Sequence, residues 1–175
     1  MSAVPGTIRF AVEEAEEPGA DPGCVANPGW HECCMLSTRF SATVAGVRGS
    51  LAQIKQLLVG FDVCPEVIAS VELVLAEVLN NICEHAYNGR SGGMIEVSLR
   101  HSPGEIFCHT IDEGCPMPGN AVPITELPSL DGPRQDLPEG GFGWHLIQAL
   151  TRKMDYARIG ERNHFSLWID LDSPM

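Results

Sequence analysis

Positive charge is scarce in this chain: 11 Lys and Arg stand against 23 Asp and Glu in 175 residues, for a net charge of −12. A nucleic-acid binder needs a basic face to neutralise phosphates, so direct binding to nucleic acid is not expected. The same shortage constrains any strongly anionic small ligand. Its phosphates would be held by a bound cation or by backbone N–H groups, and Mg²⁺ is expected beside them. Long apolar runs are also missing. No segment approaches the roughly 18 uncharged apolar residues of a membrane span, so no membrane partner is expected. The N-terminus lacks a basic start followed by an apolar stretch, so no signal peptide is visible and a cytoplasmic location is the expectation. Paired cysteine spacings are absent. Cys24, Cys33, Cys34, Cys64, Cys83, Cys108 and Cys115 form no CxxC and no even framework, which is how reduced cytosolic cysteines look. His31 with Cys24, Cys33 and Cys34 is a conceivable metal group, but zinc sites favour regular paired spacings.

What remains is ordinary for one well-cored domain: 44% hydrophobic residues and a mean hydropathy of +0.02. Residues 1–35 read differently from the rest. They hold Pro5, Pro18, Pro22 and Pro28 with the acidic cluster Glu13, Glu14, Glu16 and Glu17. Apart from a short strand at Thr7–Val12, they read as a mobile acidic extension before a domain spanning 36–175.

From Leu36 the patterns sharpen. Ser37–Ala42 alternates as a strand, with Phe40 and Ala42 on one face. Val47, Leu51, Ile54, Leu57 and Leu58 recur at helical spacing and stop at Gly60. Pro65 with Glu66 starts a longer helix running to about Tyr87, broken by Asn88-Gly89. Met94–Arg100 and Glu105–Asp112 read as a hairpin through Ser102-Pro103-Gly104. Residues 114–141 lack periodicity, with prolines at 118, 123, 128, 133 and 138. That spacing suits neither a helix nor a central strand and predicts a mobile lid. A helix over Gly143–Arg152 and two strands, Met154–Ile159 and His164–Leu171, around a turn at Gly160–Asn163 close the chain. This order predicts an α+β fold: a two-layer sandwich whose mixed, mostly antiparallel sheet is covered by helices on one face.

Three groups of residues carry candidate chemistry. Glu77, Asn81 and His85 recur every four residues on the long helix, each turned only about 40° from the last. They form one polar stripe beside an apolar arc of Leu75, Val78, Leu79, Ile82 and Ala86. The Asn81 amide oxygen is a hard ligand suited to Mg²⁺. Glu77 could deprotonate a hydroxyl or water attacking a γ-phosphate. Asp112 ends a strand before Glu113-Gly114, where a carboxylate can accept from an adenine amino group and glycine lets backbone approach the ring. Glu139-Gly140-Gly141-Phe142-Gly143 opens a helix directly, presenting N–H groups and a partial positive charge to an anion. Taken singly, these are also a solvated helix face, a plain turn and a glycine cap.

In combination and order they resemble one superfamily. The run Glu77-Val-Leu-Asn-Asn81-Ile-Cys-Glu-His85-Ala-Tyr87 is similar to the N-box of the GHKL ATP-binding (Bergerat-type) fold. Asp112-Glu-Gly114 resembles its first glycine box, Glu139-Gly-Gly-Phe-Gly143-Trp-His-Leu-Ile147 its second, and the closing Asn163–Ile169 strand fits as well. The likeness covers about residues 36–171. Within the superfamily, His-Ala-Tyr after the N-box and Glu-Gly-Gly-x-Gly before the helix resemble the anti-sigma-factor serine kinases. The resemblance implies a protein serine/threonine kinase that binds Mg·ATP, sequesters a sigma factor and phosphorylates a serine of an anti-anti-sigma (STAS-type) antagonist. A homodimer is possible by the same analogy. Asn81 would then hold Mg²⁺, Glu77 would be the general base and Asp112 would bind adenine. Gly114 would lie near the ring, Gly140, Gly141 and Gly143 near the phosphates, and His85 close by. Pro116 departs from the glycine often found two residues after Gly114, and stiffens the expected hinge.

Three rival readings stay open at this stage. One is a binding module that uses ATP only to set its affinity for a partner; retention of Glu77 beside Asn81 speaks for catalysis instead. Another is an isolated histidine-kinase catalytic domain, disfavoured because no helix pair with a phosphoacceptor histidine precedes residue 36. The third is an interaction protein that binds no nucleotide.

Overall fold

Strict alternation builds the sheet. In β2 (Met94–Ser102) Ile95, Val97 and Leu99 are fully buried, while Glu96, Ser98 and Arg100 point the other way. In β3 (Glu105–Asp112) Ile106, Cys108, Thr110 and Asp112 are inward, and in β5 (Arg162–Asp170) Asn163, Phe165, Leu167 and Ile169. A period of two places these residues on a single face, which must be covered. The structure, a computed structural model, describes residues 34–90, 92–123 and 142–171.

Among the described residues five strands form one sheet in the order β1-β2-β3-β5-β4, where β1 is Cys34–Ser41 and β4 is Lys153–Ile159. Every pairing is antiparallel. The two-layer α+β architecture expected from the sequence is therefore present, and its sheet is antiparallel throughout.

Three helices cover the inward face. α1 (Val44–Gly60) starts on Thr43, whose side-chain oxygen accepts from Gly46 N and satisfies one of the open N–H groups of the first turn. It buries Val47, Ile54 and Leu58. α2 (Pro65–Asn81) has Pro65 in its first turn, where the missing N–H costs nothing, and buries Val67, Ile68, Val71, Val74, Leu75, Val78 and Leu79. α2 lies against both α1 and α3 (Phe142–Leu150), so it is the central helix of its layer.

The long helix expected to run to Tyr87 changes character on the way. After Asn81 the chain widens into a π turn over Ile82–Ala86, with Tyr87 N donating to Ile82 O at 3.0 Å. Its extra residue per turn re-aims the side chains beyond Asn81, a feature that clusters at functional positions. Element ends differ from the sequence expectation by up to three residues, as frayed ends do. The turn before β5 is shorter than the expected Gly160–Asn163, because pairing reaches Arg162 opposite Ile159.

Several expectations fall outside the described residues: the acidic extension with its Thr7–Val12 strand, the Cys24, His31 and Cys33 grouping, and 124–141 of the expected lid, including Gly140 and Gly141. Residues 114–123 are described and are tied to the body of the domain. Cys115 N donates to Ala86 O at 2.8 Å, Met117 N to the Tyr156 hydroxyl at 3.1 Å, and Gln148 Nε2 to Pro123 O at 2.8 Å. A short 3₁₀ turn, Pro118–Asn120, interrupts the stretch expected to be irregular.

Candidate functional site

A cavity of about 380 Å³ opens between the end of α2, the C-terminal end of β3 and the start of α3. Asn81, His85 and Asp112 all line it. Its other walls are mostly apolar and include Val78, Ile82, Met117, Trp144, Tyr156 and Phe165, with Asn163 among them. Trp144 meets Phe165 edge-to-face with ring centroids 5.9 Å apart, a favoured aromatic geometry that stiffens the wall. The volume lies within the range of small-ligand pockets, and an apolar slot with a few convergent polar groups is how such pockets recognise a flat ring.

Asp112 is the deepest polar group, only 5% exposed. It ends a strand at an inward position, so the alternation that buries Ile106 and Cys108 buries it too. Its Oδ1 accepts from Gly114 N at 2.8 Å and from Asn163 Nδ2 at 2.8 Å. Oδ2 accepts from no described residue. Burial pushes the carboxyl above the usual carboxylate range, against the pull of the Asn163 and Gly114 N–H groups and the Arg158 charge; Glu113 adds a smaller push upward.

Gly114 is required for a steric reason. A methyl group built there would lie 2.6 Å from Ala86 Cβ and 2.7 Å from the Ala86 carbonyl. Only a bare backbone lets the turn after β3 close against the π turn, which brings the Asp112 end of the sheet to the Asn81 end of the helix. Tyr87 clamps the same junction: its hydroxyl donates to Met94 O at 2.7 Å and accepts from Glu113 N at 3.0 Å.

Asn81 Nδ2 is buried, and the side chain makes no hydrogen bond to any described residue. A buried amide without a partner is costly inside a protein and sensible beside a ligand. Turning the amide over presents its oxygen at the same place without breaking a bond. These properties fit a hard cation that keeps most of its ligands as phosphate oxygens and water. Among the described residues no group of three or more His, Cys, Asp and Glu is placed to hold a metal by itself.

Glu77 is not in the cavity wall. It sits one turn earlier on α2, where its Oε2 would be 2.5 Å from a methyl group built on Gly143, at the start of α3. The helix stripe therefore divides: Asn81 and His85 face the cavity, and Glu77 faces the first turn of α3, beside the positive end of that helix.

Wall residues to which the sequence reading gave no part in the site include Met117, Trp144, Tyr156, Asn163 and Phe165. Asn163 had a signal, since an asparagine sits where the alternation of Phe165, Leu167 and Ile169 calls for an apolar side chain. Placing it in a turn concealed that parity.

A strand-end carboxylate and a helical amide thus line one cavity beside an open antiparallel sheet. The chain belongs to the histidine kinase-like ATPase domain family, whose profile matches residues 40–168. Among curated proteins it is similar to the serine/threonine-protein kinase BtrW of Bordetella bronchiseptica, 30% identical over 99 residues that make up 56% of this chain and 67% of BtrW. Among solved structures its fold is similar to that of the RsbU and RsbW domains of Rv1364c from Mycobacterium tuberculosis. That likeness has a TM-score of 0.53 at 19% identity, covering 77% of this chain and 31% of the other. These relationships agree with the GHKL-type fold and the serine-kinase branch expected from the sequence. No helix among the described residues is long and apolar enough to cross a membrane.

Proposed function

We propose that this chain is a Mg·ATP-dependent protein serine kinase that also sequesters a protein partner. By analogy with the anti-sigma-factor kinases, the sequestered partner is a sigma factor and the phosphoacceptor is a serine on a STAS-type antagonist. The carrying observation is the presence of Asn81 and Asp112 in the wall of one cavity, with Glu77 directly beside the start of α3.

In this reading the adenine ring enters the apolar slot and its amino group donates to Asp112, with Gly114 close to the ring. The phosphates lie toward Gly143 and the N-terminus of α3, and the roles expected of Gly140 and Gly141, outside the described residues, remain part of this proposal. Asn81 would hold Mg²⁺, which would supply charge neutralisation at the phosphates. Glu77 accepts the proton of the attacking serine hydroxyl, and His85 contributes a polar contact at the cavity mouth. A carboxylate at that position supports transfer over mere nucleotide retention, because holding ATP does not require a base. BtrW carries the name of a serine/threonine-protein kinase, which supports the same class of chemistry.

The test is incubation with labelled ATP, Mg²⁺ and the STAS-type protein encoded by the same organism. Label on one serine is the expected result, lost in Glu77→Ala while nucleotide binding is kept. Nucleotide binding without any transfer would replace this reading with an ATP-regulated sequestering module.

A further inference from the structure

The sequence reading gave Arg158 and Asn163 no role, yet they converge on Asp112. Arg158, half-buried in β4, donates from Nη1 to Asn163 Oδ1 at 2.7 Å and to the Gly114 carbonyl at 2.9 Å. The Tyr156 hydroxyl donates to the same Oδ1 at 2.8 Å. A guanidinium has donors only, so the end of the amide that faces it must be the oxygen. The Asn163 NH₂ group is thereby forced to the other side, where it donates to Asp112 Oδ1 at 2.8 Å and to the Cys115 carbonyl at 3.1 Å. The chain of donors runs one way, from Arg158 through Asn163 to Asp112. It fills Oδ1, and Oδ2 of this cavity-lining side chain has no partner among the described residues.

We propose that Arg158 and Asn163 are positioning residues that hold Asp112 as a hydrogen-bond acceptor facing the cavity, and so make it select a purine with an exocyclic amine over one with a carbonyl there. The proposal rests on the nucleotide reading of the site. An ionised carboxylate only accepts, so it pairs with an amine and repels a carbonyl oxygen; a protonated one can donate and loses that discrimination. Burial favours the protonated form of Asp112, as does the neighbouring Glu113, while the donors from Asn163 and Gly114 N and the charge of Arg158 oppose it. Tyr87 from the end of the long helix, Tyr156 in β4, Cys115 after β3 and His85 across the cavity are other titratable groups near it. Removing the relay leaves the Gly114 N–H as the main group opposing burial.

The experiment has two readouts. The Asp112 carboxyl is titrated by carbon NMR without ligand, and ATP and ITP affinities are measured by calorimetry with Mg²⁺ between pH 5 and 8. ITP carries a carbonyl in place of the amine. In Arg158→Met the Asp112 midpoint moves up by about one pH unit. The preference for ATP over ITP then falls about ten-fold at the acidic end and returns at pH 8. Arg158→Lys keeps a donor and stays near the wild type. Asn163→Asp, which has no N–H to give, shifts the midpoint in the same direction and serves should Arg158→Met fail to fold. An unmoved midpoint in both variants, or ATP and ITP weakened by one common factor at every pH, overturns the proposal. If the wild type binds neither nucleotide, the site reading fails, while the ligand-free titration still decides the relay.

Discussion

Glu77 and Gly143 are in direct opposition across the α2–α3 interface: any Cβ at position 143 would meet the Glu77 carboxylate, 2.5 Å from Oε2. Alanine at 143 must therefore displace the carboxylate or tilt the start of α3. Gly143→Ala is expected to lower phosphoryl transfer by about 10²-fold or more, the usual contribution of a placed base. Transfer at the wild-type rate in that variant, followed with labelled ATP, would separate Glu77 from the chemistry.

Asn81 offers a buried amide that no described residue satisfies. Asn81→Ala is expected to abolish the Mg²⁺-dependent part of ATP affinity and leave the metal-independent part. Calorimetry with and without Mg²⁺ reads this directly. An affinity that still responds to the metal as in the wild type rules Asn81 out as its ligand.

Acid is expected to act on Asp112 in two opposite ways. Its pKa is raised by burial above the unfolded value, so its contribution to stability is fully present below the unfolded pKa and is lost as pH rises through the folded one. ATP affinity runs the other way, because the amino group needs an ionised acceptor. Binding should therefore begin to fall at a pH above the ordinary carboxylate range. Asp112→Asn should flatten that acid limb; an unchanged limb in Asp112→Asn would assign the pH dependence to another group.

Gly114→Ala places a methyl group against the Ala86 backbone, which cannot move aside as a side chain can. Overpacking of this kind costs about 1–3 kcal/mol. A domain of this size should lose several degrees in Tm, about 2–4 °C per kcal/mol. Thermal unfolding with no change in Tm would show that the turn has room the geometry denies.

Cysteine reactivity should divide by burial. Cys108 is 1% exposed in the core and its thiol is pushed up to about 12 by desolvation, so almost no thiolate exists at neutral pH. Cys64 and Cys115 are exposed. Brief alkylation of the native protein followed by peptide mass spectrometry should label these two and spare Cys108. Early labelling of Cys108 would contradict the packing of β3.

Much of this protein was legible before any coordinates. The hairpin of β2 and β3 follows from alternation and the Ser102-Pro103-Gly104 turn, and the inward set Ile95, Val97, Leu99 and Ile106 is the one the period of two predicts. Glu77, Asn81, His85 and Asp112 stood out because polar groups at fixed helical spacing, or at a strand end before glycine, are local signals. The π turn was not legible, since it packs against Gly114 and the Tyr87 clamp through contacts between segments about 28 residues apart in sequence.

Local order alone determined the elements, their amphipathic faces and the identity of the polar residues available for chemistry, because periodicity and turn preference act over a few residues. Tertiary structure decided which of those residues share a cavity. It set Asn81 and His85 facing Asp112, turned Glu77 toward α3 instead, and recruited Tyr156, Arg158 and Asn163 from the last hairpin. The reason is geometric: β5 lies beside β3, so residues some 50 positions apart come within one hydrogen bond of each other.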